Sequence, residues 1–214
     1  MTRSSTPESR LRLPRDERRA QLLDAALVSF SEGGYHQTLM DDIAERAGVS
    51  KPVLYQHFDS KLDLYLAIAR GVADEVLHTL TSALVSTDDN AERMHACVAT
   101  FFDFVDRPGS GFPLLFASDM SQEPAVAALL EETRRACGQA MATEVARETG
   151  LPSEEALLVG MTLAGVAQTA AMHWYDVRDV LPKRRATDVV ESLAWRGLAG
   201  LPVQGGAQEQ RDAG

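Results

Sequence analysis

The chain has 214 residues, of which 45% are apolar and 24% charged, with only two cysteines, Cys97 and Cys137. This is ordinary globular composition; it excludes a collagenous, disordered or disulfide-dense chain. A net charge of −10 argues against a nucleic-acid binder, yet residues 1–70 carry ten basic and ten acidic side chains, residues 71–214 carry 11 and 21, and six Arg fall in residues 1–19. This asymmetry points to a two-part chain whose N-terminal part can approach a polyanion.

Residues 1–14 are polar and Arg/Ser-rich and read as a disordered arm. From Arg15 onward Leu22, Leu23, Ala26, Leu27 and Phe30 follow helical spacing, and Gly33-Gly34 stops that helix. Thr38, with Asp41 three residues on, can cap a second helix whose apolar stripe is Ile43, Ala44 and Ala47. Ser50 can cap a short third helix, Lys51 to His57, with Pro52 in its first turn. Ser60 opens a long fourth helix to about Val85. Asp88 or Asp89 starts the next, which Pro108-Gly109 ends, and Phe112 to Met120 is a short apolar piece. Pro124 to Thr149, Ser153 to Tyr175, and Pro182 to about Gly200 complete an all-α chain of about nine helices. Residues 203–214 read as a disordered tail. The expected division is 15–60 for a helix-turn-helix unit and 61–202 for a second helical unit.

The N-terminus lacks the apolar run of a secretory signal. The apolar stretch Ala156 to Met172 is short for a membrane span and contains two Gly, so it reads as buried helix. A cytoplasmic protein with no membrane partner is the expectation. His95, Cys97, Cys137 and His173 lack metal-ligand spacing, so no metal and no cofactor are expected. Neither a phosphate-binding Gly-rich loop nor a nucleophile elbow is present.

Leu39 to Phe58 meets the physical demands of a helix-turn-helix. Ala44 is small where two helices touch, Gly48 tolerates a positive φ in the turn, and Val49 plugs the gap. Leu54 and Phe58 bury one face of the short helix, leaving Lys51, Pro52, Tyr55 and Gln56 on the face that a recognition helix offers to the major groove. Ser50 at the helix start joins this set. Tyr55, His57 and Lys61 cluster as phosphate donors.

The run TLMDDIAERAGVSKPVLYQHFDSKLDLYLAI, Thr38 to Ile68, resembles the DNA-binding signature of TetR-type transcription regulators. It matches at Ile43, Ala44, Ala47, Gly48, Val49, Ser50, Leu54, Tyr55, His57, Phe58, Lys61 and Leu64. The resemblance implies an Ω-shaped homodimer. Three N-terminal helices would bind double-stranded operator DNA, a C-terminal domain would bind a small ligand, and the last two helices would build a four-helix dimer interface. It also implies phosphate contacts from Thr38, Tyr55, His57 and Lys61 and base contacts from Lys51 and its neighbours. The stretches RLPRDERRAQLL, GVSKPVLYQHFDSKLDLYLA and FFDFVDRPGSGFPLLFASD are further similar to the FasR group of fatty-acid-synthesis regulators. That likeness implies a hydrophobic effector such as a long-chain acyl-CoA.

Bulky and flexible apolar residues suit a ligand tunnel. Phe101, Phe102 and Val105 lie on the fifth helix and Leu115 and Phe116 on the short piece. Cys137, Met141 and Val145 follow, then Leu163 and Met172. The Ser153 helix is apolar almost all round and carries Gly160, Ala164, Gly165 and Ala167. Such a face must be covered, and a partner's equivalent helix is the expected cover, with Val166, Val190, Leu193 and Trp195 at the interface. Alternatives within this frame are a repressor of an efflux or catabolic gene sensing another hydrophobic compound, or an enzyme that uses the apolar cavity as its active site.

Overall fold

The computed structural model describes residues 14–198, so the arm expected over 1–14 (Pro14 apart) and the tail at 203–214 lie outside the described residues. Every regular element described is helical: α1 (Arg15–Gln37), α2 (Met40–Arg46), α3 (Lys51–Tyr55), α4 (Lys61–Leu84), α5 (Asn90–Asp106), α6 (Phe112–Phe116), a 3-10 turn (Asp119–Gln122), α7 (Pro124–Thr149), α8 (Ser153–Val177) and α9 (Lys183–Leu198). The all-α expectation is met. The chain divides into two compact units, residues 1–65 and 66–214, with the division inside α4.

In the first unit, Leu22, Ala26 and Phe30 of α1 are buried with Ile43 and Ala44 of α2 and Leu54 of α3. Gly34 breaks α1 near its end, with φ 69°. The α2–α3 turn follows from Gly48, whose φ of 66° lets its N–H reach Glu45 O at 2.9 Å while Val49 N–H reaches Ala44 O at 3.0 Å. This pair satisfies two helix-end carbonyls and leaves Val49 to continue the chain at a fixed angle. Gln21 of α1 adds a third clasp, its Nε2 donating to Ala47 O at 2.8 Å. The α2 cap sits one residue later than the sequence suggests. Leu39 precedes the helix and its N–H donates to the Asp42 carboxylate at 3.3 Å. Thr38 is buried and turns its hydroxyl toward Gly34 O, 2.7 Å away, and Ser29 O, 3.1 Å away.

In the second unit α7 and α8 make the central pair. Their backbones approach so closely at Gly138 and Gly160 that a Cβ on Gly160 would lie 2.4 Å from Gly138 O and 2.6 Å from Ala142 N. Ala156, Gly160, Ala164, Ala167 and Ala171 of α8 are all buried within the chain. This corrects the expectation for Gly160, Ala164 and Ala167: the small residues serve packing within one chain. Gly165 differs, since a Cβ there would meet nothing within 4 Å. At 25 residues α8 is long and apolar enough to cross a membrane, beyond what the Ala156–Met172 stretch suggests, and its small-residue stripe is nonetheless packed on protein.

Helix α5 packs against α8 and α9. Asp89 caps α5 by accepting from Ala91 and Glu92 N–H. Trp174 Nε1–H donates to Leu181 O at 2.8 Å, fixing the α8–α9 turn, and Lys183 at the start of α9 bridges Asp103 and Asp106 of α5 at 3.0 and 2.7 Å.

Candidate nucleic-acid interface and ligand cavity

Helix α3, the expected recognition helix, is anchored by Leu54, fully buried, with Phe58 buried just beyond it. Its other face is open, with Ser50, Lys51, Pro52, Tyr55 and Gln56 all exposed. The Ser50 hydroxyl makes no capping bond. Lys51 Nζ lies 3.0 Å from the Asp41 carboxylate, and that hydrogen bond raises its pKa. The residue expected to read base edges is thus held by an acid on the neighbouring helix.

His57 is half-buried, and burial lowers its pKa, with Arg15, Arg19 and Arg18 lowering it further. The ring is therefore neutral at pH 7 beside a group of cations. Arg19 also stacks its guanidinium on the Phe58 ring at 4.4 Å. The start of α1 and the end of α3 accordingly form one basic corner. Sequence reasoning noted the N-terminal Arg excess without assigning these three residues to the site; the helical spacing of residues 15, 18 and 19 was the available signal.

Two residues expected to hold phosphates are committed elsewhere. Lys61 Nζ donates to Tyr35 O at 2.8 Å and Thr38 O at 3.0 Å, and sits 4.3 Å above the Tyr35 ring. The ammonium satisfies carbonyls at the α1–α2 junction, a helix C-terminal role for a cation. The inward hydroxyl of Thr38 likewise has its single proton spent. In this arrangement Lys61 and Thr38 shape the unit, and the side chains turned outward are Ser50, Lys51, Tyr55, Gln56 and, in part, His57.

The second unit holds an apolar cavity of about 290 Å³ whose wall draws on α4, α5, α7, α8 and α9. Met141, Val145 and Leu163 are on that wall as expected. Trp195, expected between subunits, is there too, and so is Cys97 of α5 in place of Cys137. Cys137 is buried elsewhere on α7. The expected aromatics of α5 and α6 form a separate core: Phe102 packs on Trp174 (centroids 5.6 Å apart), Phe104 on Phe112 (5.9 Å) and Phe112 on Phe116 (4.5 Å). Phe101, Val105 and Leu115 are buried and Met172 is half-buried, none of them on the cavity wall. The difference lies in α5, whose first half, not its aromatic second half, faces the cavity. Burial pushes the thiols of Cys97 and Cys137 up to about 12 and about 11, so neither is a nucleophile at neutral pH. No cluster of three metal-ligating side chains occurs among the described residues.

One rim of the cavity is polar. Arg93 is buried there, donating to Asn90 Oδ1 and, at 2.8 Å, to Thr87 O, and lying 3.6 Å from Glu148. Glu148 in turn accepts from Asn90 at 2.9 Å and pairs with Arg147 at 2.8 Å, and these groups lower its pKa, the Asn90 hydrogen bond most. No sequence motif marks this rim, which lies among the charged residues of two otherwise ordinary helices.

Residues 22–68 match the model of bacterial regulatory proteins of the tetR family, and residues 91–197 match the tetracyclin repressor-like C-terminal domain. The chain belongs to the TetR family. It is a DNA-binding transcription regulator, with the helix-turn-helix of α2 and α3 in the first matched segment. Among TetR-family relatives, the transcriptional activator FasR of Mycolicibacterium smegmatis is 42% identical over 90% of this chain and 88% of its own length. A TetR-like regulator from Rhodococcus sp. RHA1 is 31% identical with a TM-score of 0.71, covering 88% of this chain and all of that one. The TetR-type fold is also shared with the regulator FadR of Bacillus subtilis, solved in complex with stearoyl-CoA, at a TM-score of 0.67 and 16% identity over 82% of this chain and 96% of that one.

Proposed function

We propose that this regulator controls genes of fatty-acid metabolism and that its effector is a lipophilic acyl compound, a long-chain acyl-CoA or a close analogue, seated in the α4/α5/α7/α8/α9 cavity. The observation that carries this reading is the 42% identity to FasR, which runs through the C-terminal unit and not only the DNA-binding segment. The apolar wall of Met141, Val145, Leu163 and Trp195 supports it, as does the stearoyl-CoA carried by a regulator of the same fold. A volume of about 290 Å³ is at the small end of ligand pockets, roughly 300–1,000 Å³. It accommodates part of an acyl chain, with the bulky carrier outside.

In this reading Ser50, Lys51, Pro52, Tyr55, Gln56 and His57 face operator DNA, with the Arg15, Arg18 and Arg19 corner adding phosphate attraction. The protein acts as a homodimer in the cytoplasm. Val166, Val190 and Leu193, with the exposed Leu158 and Val189, form the subunit interface.

The test is titration of operator-bound protein with acyl-CoAs of increasing length. Each buried methylene contributes about 0.8 kcal/mol, so potency climbs with length until the cavity is full and then stops climbing. Leu163→Trp, which fills the cavity, should abolish the response. A response that ignores chain length and follows a small polar compound would overturn the lipid reading.

A further inference from the structure

The direction of α3 depends on one peptide unit. Residues 47–50 join α2 to α3, and Gly48 stands among them with φ 66°. A Cβ at Gly48 would meet nothing within 4 Å, so no close neighbour confines the backbone on that side, and glycine turns more freely than other residues. The planar unit between Ala47 and Gly48 is held at both ends by hydrogen bonds instead. Its N–H donates to Glu45 O at 2.9 Å, a bond within α2 and its turn. Its carbonyl accepts from Gln21 Nε2 at 2.8 Å, a bond from α1. Rotation of this unit swings α3 against α2, and Gln21 ties the unit to a helix outside the α2–α3 pair.

Gln21 is itself aligned. Arg18 Nη1, one turn earlier on α1, donates to Gln21 Oε1 at 2.6 Å. A guanidinium only donates and a backbone carbonyl only accepts, so the Gln21 amide can point only one way. Both side chains are half-buried, which limits competition from water. Arg18 also belongs to the basic corner, where its charge is felt by His57 at the end of α3. With five N–H groups, a guanidinium can hold Gln21 and a phosphate oxygen together. The hydrogen bonds run from a cation of the corner, through one amide, to the peptide unit that aims α3.

We propose that Gln21 is a positioning residue that sets the direction of α3, and that Arg18, by gripping the Gln21 amide and a DNA phosphate at once, makes base readout by α3 depend on phosphate engagement by α1. This rests on the reading that α3 and the arginine corner face operator DNA. A phosphate that fixes Arg18 also fixes Gln21 and the Ala47 carbonyl, so α3 is held firmly only when the corner is seated on the backbone.

The experiment uses the full-length protein and two duplexes of equal length, one selected by the wild-type protein from a random pool and one of random sequence. Affinities for the two, with their salt dependence, give a specificity ratio and a measure of phosphate contacts. Gln21→Met fills similar space with neither donor nor acceptor. It should lower the ratio about tenfold, the fold-change of one hydrogen bond, and leave random-duplex affinity and salt slope unchanged. Gln21→Glu keeps the bond to Arg18 but sets an oxygen against Ala47 O, and should lower the ratio at least as far. Arg18→Ala should reduce the salt slope by about one and also lower the ratio. In the Gln21→Met background, Arg18→Ala should still reduce the slope but leave the ratio where it is, a coupling that two independent structural losses do not produce. An unchanged ratio in Gln21→Met, with random-duplex binding intact, overturns the positioning role. Ratio losses that multiply in the double variant overturn the route through Gln21. If the Gln21 variants do not fold, Arg18→Ala decides alone: a reduced slope with an unchanged ratio makes Arg18 a phosphate contact only and overturns the proposal. Lys51→Ala combined with Gln56→Ala alters only the outward face of α3 and should collapse the ratio; if it does not, the reading of α3 itself falls.

Discussion

At the scale of single residues, the first unit separates side chains committed to its own hydrogen bonds from those left exposed on α3. Lys61 is the sharpest case, because its ammonium holds Tyr35 O and Thr38 O. Lys61→Ala leaves those helix-end carbonyls unmet and should cost about 1–3 kcal/mol of stability, read as a lower denaturant midpoint. The slope of log affinity against log salt should barely change, whereas a lost phosphate contact would reduce it by about one. Tyr55→Phe should do the reverse, weakening binding to specific and random DNA alike with stability intact. Lys51 must leave Asp41 to reach a base edge, so Asp41→Asn should raise affinity for random DNA a few-fold and lower the ratio of specific to non-specific binding. An unchanged ratio in competition assays would mean that the pair has no influence on readout.

His57 supplies a pH dependence of defined sign. Its folded pKa lies below the ordinary 6.5, through burial and the field of Arg15, Arg19 and Arg18. The unfolded chain then binds more protons, so the stability tied to a neutral His57 is present above 6.5 and is lost as pH falls through that value toward the folded pKa. Phosphates neutralise the arginine field and favour the imidazolium, so DNA binding takes up a proton and tightens on mild acidification. His57→Asn should flatten both trends in thermal melts and salt-matched binding curves.

At the scale of elements, most helix ends were legible because their signals are local. Asp89, Pro124 and Gly150 each act within one turn, and α5 and α7 begin and α7 ends where those residues stand. The α2 cap was misplaced by one residue because Thr38 with Asp41 fits the capping pattern better than Leu39, which has no side-chain acceptor, and it is the tertiary hydrogen bonds from the Thr38 hydroxyl to Gly34 O and Ser29 O that take it out of the cap. The cavity was legible only in part, since composition reveals which helices are bulky but not which turn of α5 faces inward. Trp195 follows from periodicity: it lies two residues, about 200°, from Leu193, so both cannot sit on one helical face. The Gly138/Gly160 crossing gives the test at this scale. Gly160→Ala places a Cβ against Gly138 O, Ala142 N and Ala142 Cα, backbone atoms that cannot swing aside. It should cost about 1–3 kcal/mol despite the higher helix propensity of alanine. Gly71→Ala in α4 meets nothing within 4 Å and should stabilise by about 0.5–1 kcal/mol.

For the whole molecule, one helix carries residues of both units: α4 gives Leu64 and Tyr65 to the first core and Leu84 to the cavity wall of the second. Under the proposed ligand control, an effector could change DNA affinity only by binding two arrangements of the protein unequally, and α4, which has residues in both units, is the covalent connection between them. The operator reads the result through two copies of α3, which must be held about one helical turn of DNA apart or a multiple of it. That spacing requires a dimer, for which the proposed surface is on α8 and α9. Leu158, Val189 and Leu193 are 70%, 52% and 66% exposed, too much apolar side chain to be left to water on two neighbouring helices. The face of α8 opposite its buried alanines includes Gly165, where there is open space beside the backbone. Replacing Val190 and Leu193 together with Asp puts four like charges into a two-fold interface, and sedimentation should show a monomer. The monomer should keep its helical circular dichroism, because Leu193 buries little within the chain. It should lose operator binding while retaining weak, salt-sensitive attraction to random DNA, which needs only one basic corner. A dimer that survives the double substitution would move the interface away from this face.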